Sequence, residues 1–327
     1  MERIKTLSLW SGLLGFVVVA LGAWTRLADA GLGCPDWPGC YGFVTIPVSP
    51  EEIDLANSKF PDTPYEVAKA IPEVVHRYFA AALGFMILCI AFLAFRYKDL
   101  PSDVRRLSFF LIAWVIMQGT FGYWTVSLKL WPQVVTTHLM SGFLTTGLLW
   151  LLYYKTKDRL QERTKWNFSS ATKKLFTISI ALVAVQIFLG AWTSTNYASL
   201  ACPDFPTCQG SYYPEMDFES GFNLKQEVGP NYLYGLLENP ARVAIHYSHR
   251  VTALVLTFFM LILISCLWFT NAAPLSSTLG LVLLLQISLG IMNVVYVLPL
   301  YIAIAHNLIA AMLLLVTLLV NYLAFKK

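Results

Sequence analysis

The sequence predicts an all-α membrane protein of eight transmembrane helices, arranged as two pseudo-two-fold-related four-helix bundles. Three observations predict it. Of 327 residues 57% are hydrophobic and 13% charged, a balance outside the range of soluble domains. Eight apolar runs, near 8–27, 73–95, 107–128, 133–154, 174–195, 241–269, 275–297 and 299–324, are long enough to cross a hydrocarbon layer of about 30 Å. Motifs in the first four runs also recur in the last four at a fixed distance, the signature of an internal repeat.

Span 1 follows Arg3 and Lys5 as a signal peptide would, but it is long and lacks a small-residue cleavage site, so it is expected to be retained. It ends in Gly22-Ala23-Trp24-Thr25, and a loop follows that holds Cys34-Pro-Asp-Trp-Pro-Gly-Cys40. Span 5 ends in Gly190-Ala191-Trp192-Thr193 and is followed by Cys202-Pro-Asp-Phe-Pro-Thr-Cys208. Trp24 and Trp192, Cys34 and Cys202, Cys40 and Cys208, Gln118 and Gln286, and His138 and His306 are each 168 residues apart. His76 and His249 are 173 apart, which a longer loop before about Asn239 explains, and the short link Asn271-Ala-Ala-Pro274 restores the register. The halves divide within the basic segment Lys155–Lys174, giving residues 1–160 and 161–327. With four spans each, both halves keep one orientation, a parallel repeat about an axis along the membrane normal.

Eight spans put both termini on one side. Arg3, Lys5, the 96–106 and 155–174 loops and Lys326-Lys327 hold 15 Lys and Arg against five acids, so the termini are expected in the cytoplasm of a bacterial inner membrane. The cysteine loops are then extracytoplasmic, where Cys34 with Cys40 and Cys202 with Cys208 read as disulfides. Cys89 and Cys266 lie inside apolar runs and read as small buried hydrophobes. The bilayer is the expected surroundings, and no nucleic-acid partner is expected.

The chemistry is expected in the even-numbered spans, each of which is expected to begin just after a proline: Pro72, Pro132, Pro240 or Pro299. His76, His138, His249 and His306 follow within a few residues, which places them at similar depth. One turn further stand Ala80, Gly142, Ala253 and Ala310, small enough to leave room for a flat ring. Neutral imidazole is the commonest axial ligand of heme iron, and facing helices can offer two, so His76 with His138 and His249 with His306 form two candidate axial pairs. Interhelical hydrogen bonding is the competing reading of any one such histidine. Four in matching positions favour heme.

Arg77 and Arg250 each follow a histidine and suit heme propionates, with snorkelling to the interface as the alternative. Gln118, Gln186 and Gln286 read as helix packing. Glu73 precedes His76 by three residues and shares its face, and His246 stands at that place in the second half. A carboxylate there could move a proton or stabilise a developing cation, or serve only the helix dipole as a first-turn residue. The cysteine pairs read as structural, each contributing roughly 2–3 kcal/mol, with a redox role kept open for the first.

Glu73-x-x-His76-Arg77 on span 2, His249-Arg250 on span 6, single histidines on spans 4 and 8 and two Cys-x5-Cys loops together resemble the heme A synthase family, in its form with loop cysteines, over essentially the whole chain. That resemblance implies an oxidoreductase converting heme O to heme A, by oxidising one porphyrin methyl to formyl in two steps, for terminal oxidases. It implies a resident heme b (iron) on His249 and His306 with Arg250, and a substrate heme on His76 and His138 with Arg77. Glu73 is the implied catalytic carboxylate, and His246 has no implied role. Heme O synthase and a membrane electron acceptor are implied partners, and a homo-oligomer is compatible with the pattern. From the residues alone, a diheme cytochrome b-type electron carrier, a membrane thiol-disulfide oxidoreductase and a transporter stay open.

Overall fold

In lipid every backbone N–H and C=O must be satisfied within the chain, and apolar runs of this length do so as helices. A computed structural model describes residues 1–160, 168–270 and 272–325. The division at 160/161 within the basic segment, Asn271 of the short link and Lys326-Lys327 touch positions outside the described residues.

Ten helices are seen among the described residues: α1 (Glu2–Leu27), α2 (Pro50–Lys59), α3 (Val67–Arg96), α4 (Ser102–Ser127), α5 (Pro132–Leu160), α6 (Ser170–Thr195), α7 (Phe218–Gly221), α8 (Asn239–Phe269), α9 (Ala273–Val295) and α10 (Leu300–Phe325). All but the short α2 and α7 are long and apolar enough to span a membrane, so the eight expected spans are present and the chain is a multi-pass membrane protein. Phe85, Phe92, Leu254 and Phe258 are among the side chains they turn outward.

Helix α1 packs on α3 and α5, and α4 closes that group against α3 and α5. In the second half α6 packs on α8 and α10, and α9 closes against α8 and α10. The halves meet through α1 on α10, α5 on α6 and α5 on α10. Each half has its own apolar core, around Ile87, Ile90, Leu111 and Leu149 in the first and Phe176, Met260, Leu263 and Leu279 in the second. Across the junction the hydroxyls of Thr136 and Thr195 lie 3.0 Å apart, Arg26 donates to the Ser194 carbonyl, and its guanidinium sits 3.9 Å over the Tyr197 ring. The long loop of the second half also reaches the first, where Tyr232 N–H donates to Lys129 O at 3.0 Å and Trp131 Nε1–H to Gln226 O at 3.2 Å.

The repeat extends to the backbone. Left-handed conformations at Asp29, Tyr41, Gly42, Lys129 and Leu130 return at Tyr197, Gln209, Gly210, Val297 and Leu298, all at the offset of 168. Gly42 and Gly210, with φ of 82° and 75°, turn the chain just after each cysteine loop, a conformation glycine adopts without steric cost.

Two expectations need correction. Pro72 does not open its helix: α3 begins at Val67, so Pro72 lies inside it. The early start has a physical reason, because Gly33 lets the cysteine loop rest on the first turn of α3, where any Cβ would collide with the Lys69 carbonyl. Between the first cysteine loop and α3 the chain also forms α2, started by a capping box of Ser49 and Glu52. Lys155 and Lys157 belong to the end of α5 rather than to a connecting loop.

Candidate functional site

The four histidines lie near the helix ends that carry the cysteine loops, and each is packed by one rule. A Cβ placed on Gly22 would lie 3.0 Å from Cε1 of His76, and one on Gly122 3.3 Å from Cε1 of His138. Gly190 and Gly290 present the same surface to His249 and His306, at 3.1 Å in both cases. The space for each flat ring is therefore made by a glycine on the neighbouring helix, α1, α4, α6 or α9, and not only by the small residue one turn further along its own. His76 and His138 are close enough to interact electrostatically, as are His249 and His306.

The glutamines turn out to serve the histidines. The Gln118 carboxamide donates to His138 O at 2.9 Å, and that of Gln286 lies 3.2 Å from His306 Nε2. Gln186 Nε2 is 3.0 Å from His249 Nδ1 and 3.1 Å from His249 O. These contacts were missed in the sequence, where a signal did exist. Each glutamine stands four residues before one of the ring-facing glycines, and a Gln-x3-Gly spacing repeated on three helices is more specific than packing requires.

Glu73 is buried, and both of its oxygens are engaged. Cys34 N–H donates to Oε2 at 2.9 Å, and the Arg77 guanidinium pairs with Oε1 at 2.5 Å. Arg77 also donates to Asp36 O at 2.9 Å and to Gly39 O, so it grips the inside of the first cysteine loop. The second half builds the same clamp from different atoms. There Cys202 N lies 3.4 Å from His246 Nδ1 and Arg250 Nε 3.2 Å from His246 Nε2, of which a neutral imidazole accepts at one, and Arg250 donates to Cys202 O, Asp204 O and Thr207 O at 2.8, 2.8 and 2.9 Å. His246 thus stands where Glu73 does, between the cysteine loop, its helix and the arginine.

Both disulfides form, Cys34–Cys40 and Cys202–Cys208, with Cα atoms 4.8 and 4.5 Å apart. All four cysteines are buried, so neither bond is open to a thiol donor without movement of its loop. Asp36 accepts from the N–H groups of Tyr41 and Gly42 at 2.6 and 2.7 Å, and Asp204 from those of Gln209 and Gly210 at 2.6 and 3.0 Å. The Thr207 hydroxyl, then these N–H donors, hold the Asp204 carboxyl below the usual carboxylate range. Tyr41, packed edge-on to Phe60 and Tyr65, donates to Pro64 O at 3.1 Å. Burial first, and the nearby Glu66 and Glu73 carboxylates next, push its hydroxyl up to about 12.

The donor set suits a porphyrin iron. Nδ1 of His76, His138 and His306 is buried without a hydrogen-bond partner, a costly state for an imidazole that is only structural. Among the described residues no cluster of three or more His, Cys, Asp and Glu could hold a bare metal ion. Paired imidazoles with room for a planar ring fit a macrocycle that supplies its own four equatorial ligands.

Comparison with known proteins agrees. The model of the cytochrome oxidase assembly protein family matches residues 5–318. A heme A synthase of Shewanella oneidensis is 42% identical over 312 residues, covering 95% of this chain and 93% of the relative. Heme A synthases of a Wolbachia from Brugia malayi and of Nitrosospira multiformis are each 28% identical, over 95% and 97% of this chain and 95% and 93% of theirs. Family model and near full-length identity together establish that the chain belongs to the heme A synthase family of cytochrome oxidase assembly proteins.

Proposed function

We propose that the chain acts as a heme A synthase, an oxidoreductase that takes heme O and oxidises one methyl of its porphyrin to a formyl group in two steps. Heme A, its product, serves terminal oxidases. The observation that carries the site assignment is the fourfold pairing of a half-buried histidine with a glycine on the adjacent helix.

His249 and His306 are the proposed ligands of a resident heme b, whose iron would supply one-electron exchange. His76 and His138 are the proposed holders of heme O. The halves differ where chemistry needs a difference, since the clamp acceptor is a carboxylate in the first half and an imidazole in the second. Glu73, three residues before His76, is therefore the proposed group that moves a proton or stabilises positive charge as the methyl is oxidised. Arg77 and Arg250 place positive charge at the propionate end of each porphyrin while holding the loops above it. The excess of Lys and Arg in the loops between spans supports termini in the bacterial cytoplasm and cysteine loops outside. Heme O synthase and a membrane electron acceptor are the expected partners.

Membranes containing the chain and supplied with heme O should accumulate heme A, measured by chromatography of acid-extracted hemes. Glu73→Ala should keep bound heme and lose heme A. Undiminished heme A from that variant would return Glu73 to a purely structural role.

A further inference from the structure

Toward the end of the bundle opposite the cysteine loops, α5 and α10 enclose a partly open cavity of about 180 Å³. Gly147, Trp150 and Tyr154 of α5 line it together with Leu315, Leu318 and Tyr322 of α10, and each of these α10 residues stands 168 positions after its α5 counterpart. Equivalent residues of the two halves thus face one space. His138 and His306 each lie nine residues before its first lining residue on the same helix, about 14 Å along the axis. The walls are aromatic and held in place. The Tyr154 and Tyr322 rings are stacked with centroids 6.2 Å apart and planes 20° apart, and the Trp150 ring lies 5.9 Å from that of Tyr154. Gly12 on α1 makes room for Trp150, since a Cβ there would lie 2.9 Å from its Nε1. Asn321, which also lines the cavity, donates to Phe176 O at 2.8 Å and to Thr317 O at 3.1 Å.

A dry cavity of about 150 Å³ accepts benzene, so this space takes a single substituted ring and nothing as large as a porphyrin. Flat aromatic walls suit a flat ring, and among the described residues no lysine or arginine lines the space to hold a phosphate. The proposed reaction calls for such an occupant. Oxidising a methyl to a formyl, with water as the source of oxygen, releases four electrons and four protons that must leave the chain at every turnover. A lipid-soluble quinone takes two of each and becomes a quinol, so two quinones balance one methyl-to-formyl conversion. We infer that the cavity between α5 and α10 is a quinone site, in which the ring lies against Trp150, Tyr154 and Tyr322 and the isoprenoid tail leaves by the open side. The inference rests on the synthase reading above and deepens it by naming the class of electron acceptor and the place where it binds.

The test is photolabelling of the purified full-length chain with an azidoquinone, the labelled peptides being located by mass spectrometry. Label should fall on 147–154 and 315–322, and decylubiquinone should suppress it where an equal excess of phosphatidylglycerol does not. Leu318→Trp brings the indole of its counterpart Trp150 into the cavity, and overpacking of that kind should cut labelling about 5-fold or more. Leu281→Trp, at an exposed position of α9, should label as the wild type does. In a second arm the chain is loaded with protoheme and reduced. Decylubiquinone should reoxidise that heme at a rate that saturates with quinone and falls by a similar factor in Leu318→Trp. Label spread over the whole chain, displacement by phosphatidylglycerol as readily as by decylubiquinone, or equal labelling of the two tryptophan variants would overturn the inference. Should Leu318→Trp not fold, the peptide map and its displacement decide alone. A chain that takes up no protoheme refutes the bis-histidine reading and leaves the labelling to decide this inference, whereas loaded heme that quinone does not reoxidise overturns this inference alone.

Discussion

Replacing Gly22 by alanine tests whether ring placement against a neighbouring backbone governs heme binding. The new Cβ would lie 3.0 Å from Cε1 of His76. Carbon atoms rest at about 3.5–4.0 Å, so the ring must withdraw by about 0.5–1 Å. Overpacking of that kind costs about 1–3 kcal/mol. Expressed as weakened ligation by His76, this is about a 5- to 160-fold loss of heme affinity in the first half. Gly119→Ala is the control, because a Cβ there meets nothing within 4 Å. The assay is a protoheme titration of the purified chain, with hemes per chain counted by the pyridine hemochrome method. Gly22→Ala should retain the second-half heme and show the weakened first site, while Gly119→Ala titrates as the wild type does. Equal affinities in the two variants would refute the reasoning.

Other expectations follow from the clamps and loops. Glu73→His copies the second half, so the first loop and its heme should persist while heme A formation, read by chromatography, falls at least about 100-fold, within the range removal of a general acid–base group produces. Glu73→Ala instead leaves Arg77 without its buried partner, a change costing about 3–5 kcal/mol where pairs are fully buried, and should expose Cys34–Cys40 to reduction, read as faster thiol labelling under mild reductant. Cys34→Ala and Cys202→Ala should lower thermal stability alike, since both disulfides are equally buried; a defect in heme A formation confined to Cys34→Ala would favour a redox role for the first pair. Asp204 has its folded-state pKa below the unfolded value of 3.8, so its contribution is complete above that pH and is lost as pH falls through the folded value. Melting temperatures at neutral pH and near pH 3 should therefore diverge less in Asp204→Asn than in the wild type.

The eight spans were legible because lipid forces apolar runs of fixed length into helices, and the repeat because motifs as different as Cys-x5-Cys and single histidines share one register. Helix starts were less legible. Pro72 suggested a first turn, yet what sets the start of α3 is the cysteine loop resting on Lys69, a contact between residues far apart in sequence. The contacts of His246 and of the three glutamines were not legible, because each depends on where a loop or a neighbouring helix returns. Arg77 and Arg250 show the same limit: their charge suggested propionates, and the loop carbonyls they grip become visible only once the cysteine loops are folded back over α3 and α8.

The division of labour between halves is tested most directly by extracting and chromatographing the hemes of chains purified from cells that make heme O. The wild-type chain should yield heme b together with heme O or heme A. His76→Ala and His138→Ala should each yield heme b alone, and His249→Ala and His306→Ala should each lose heme b. A wild-type chain carrying only heme b, lost equally on substitution in either half, would contradict the synthase assignment and identify an electron carrier instead.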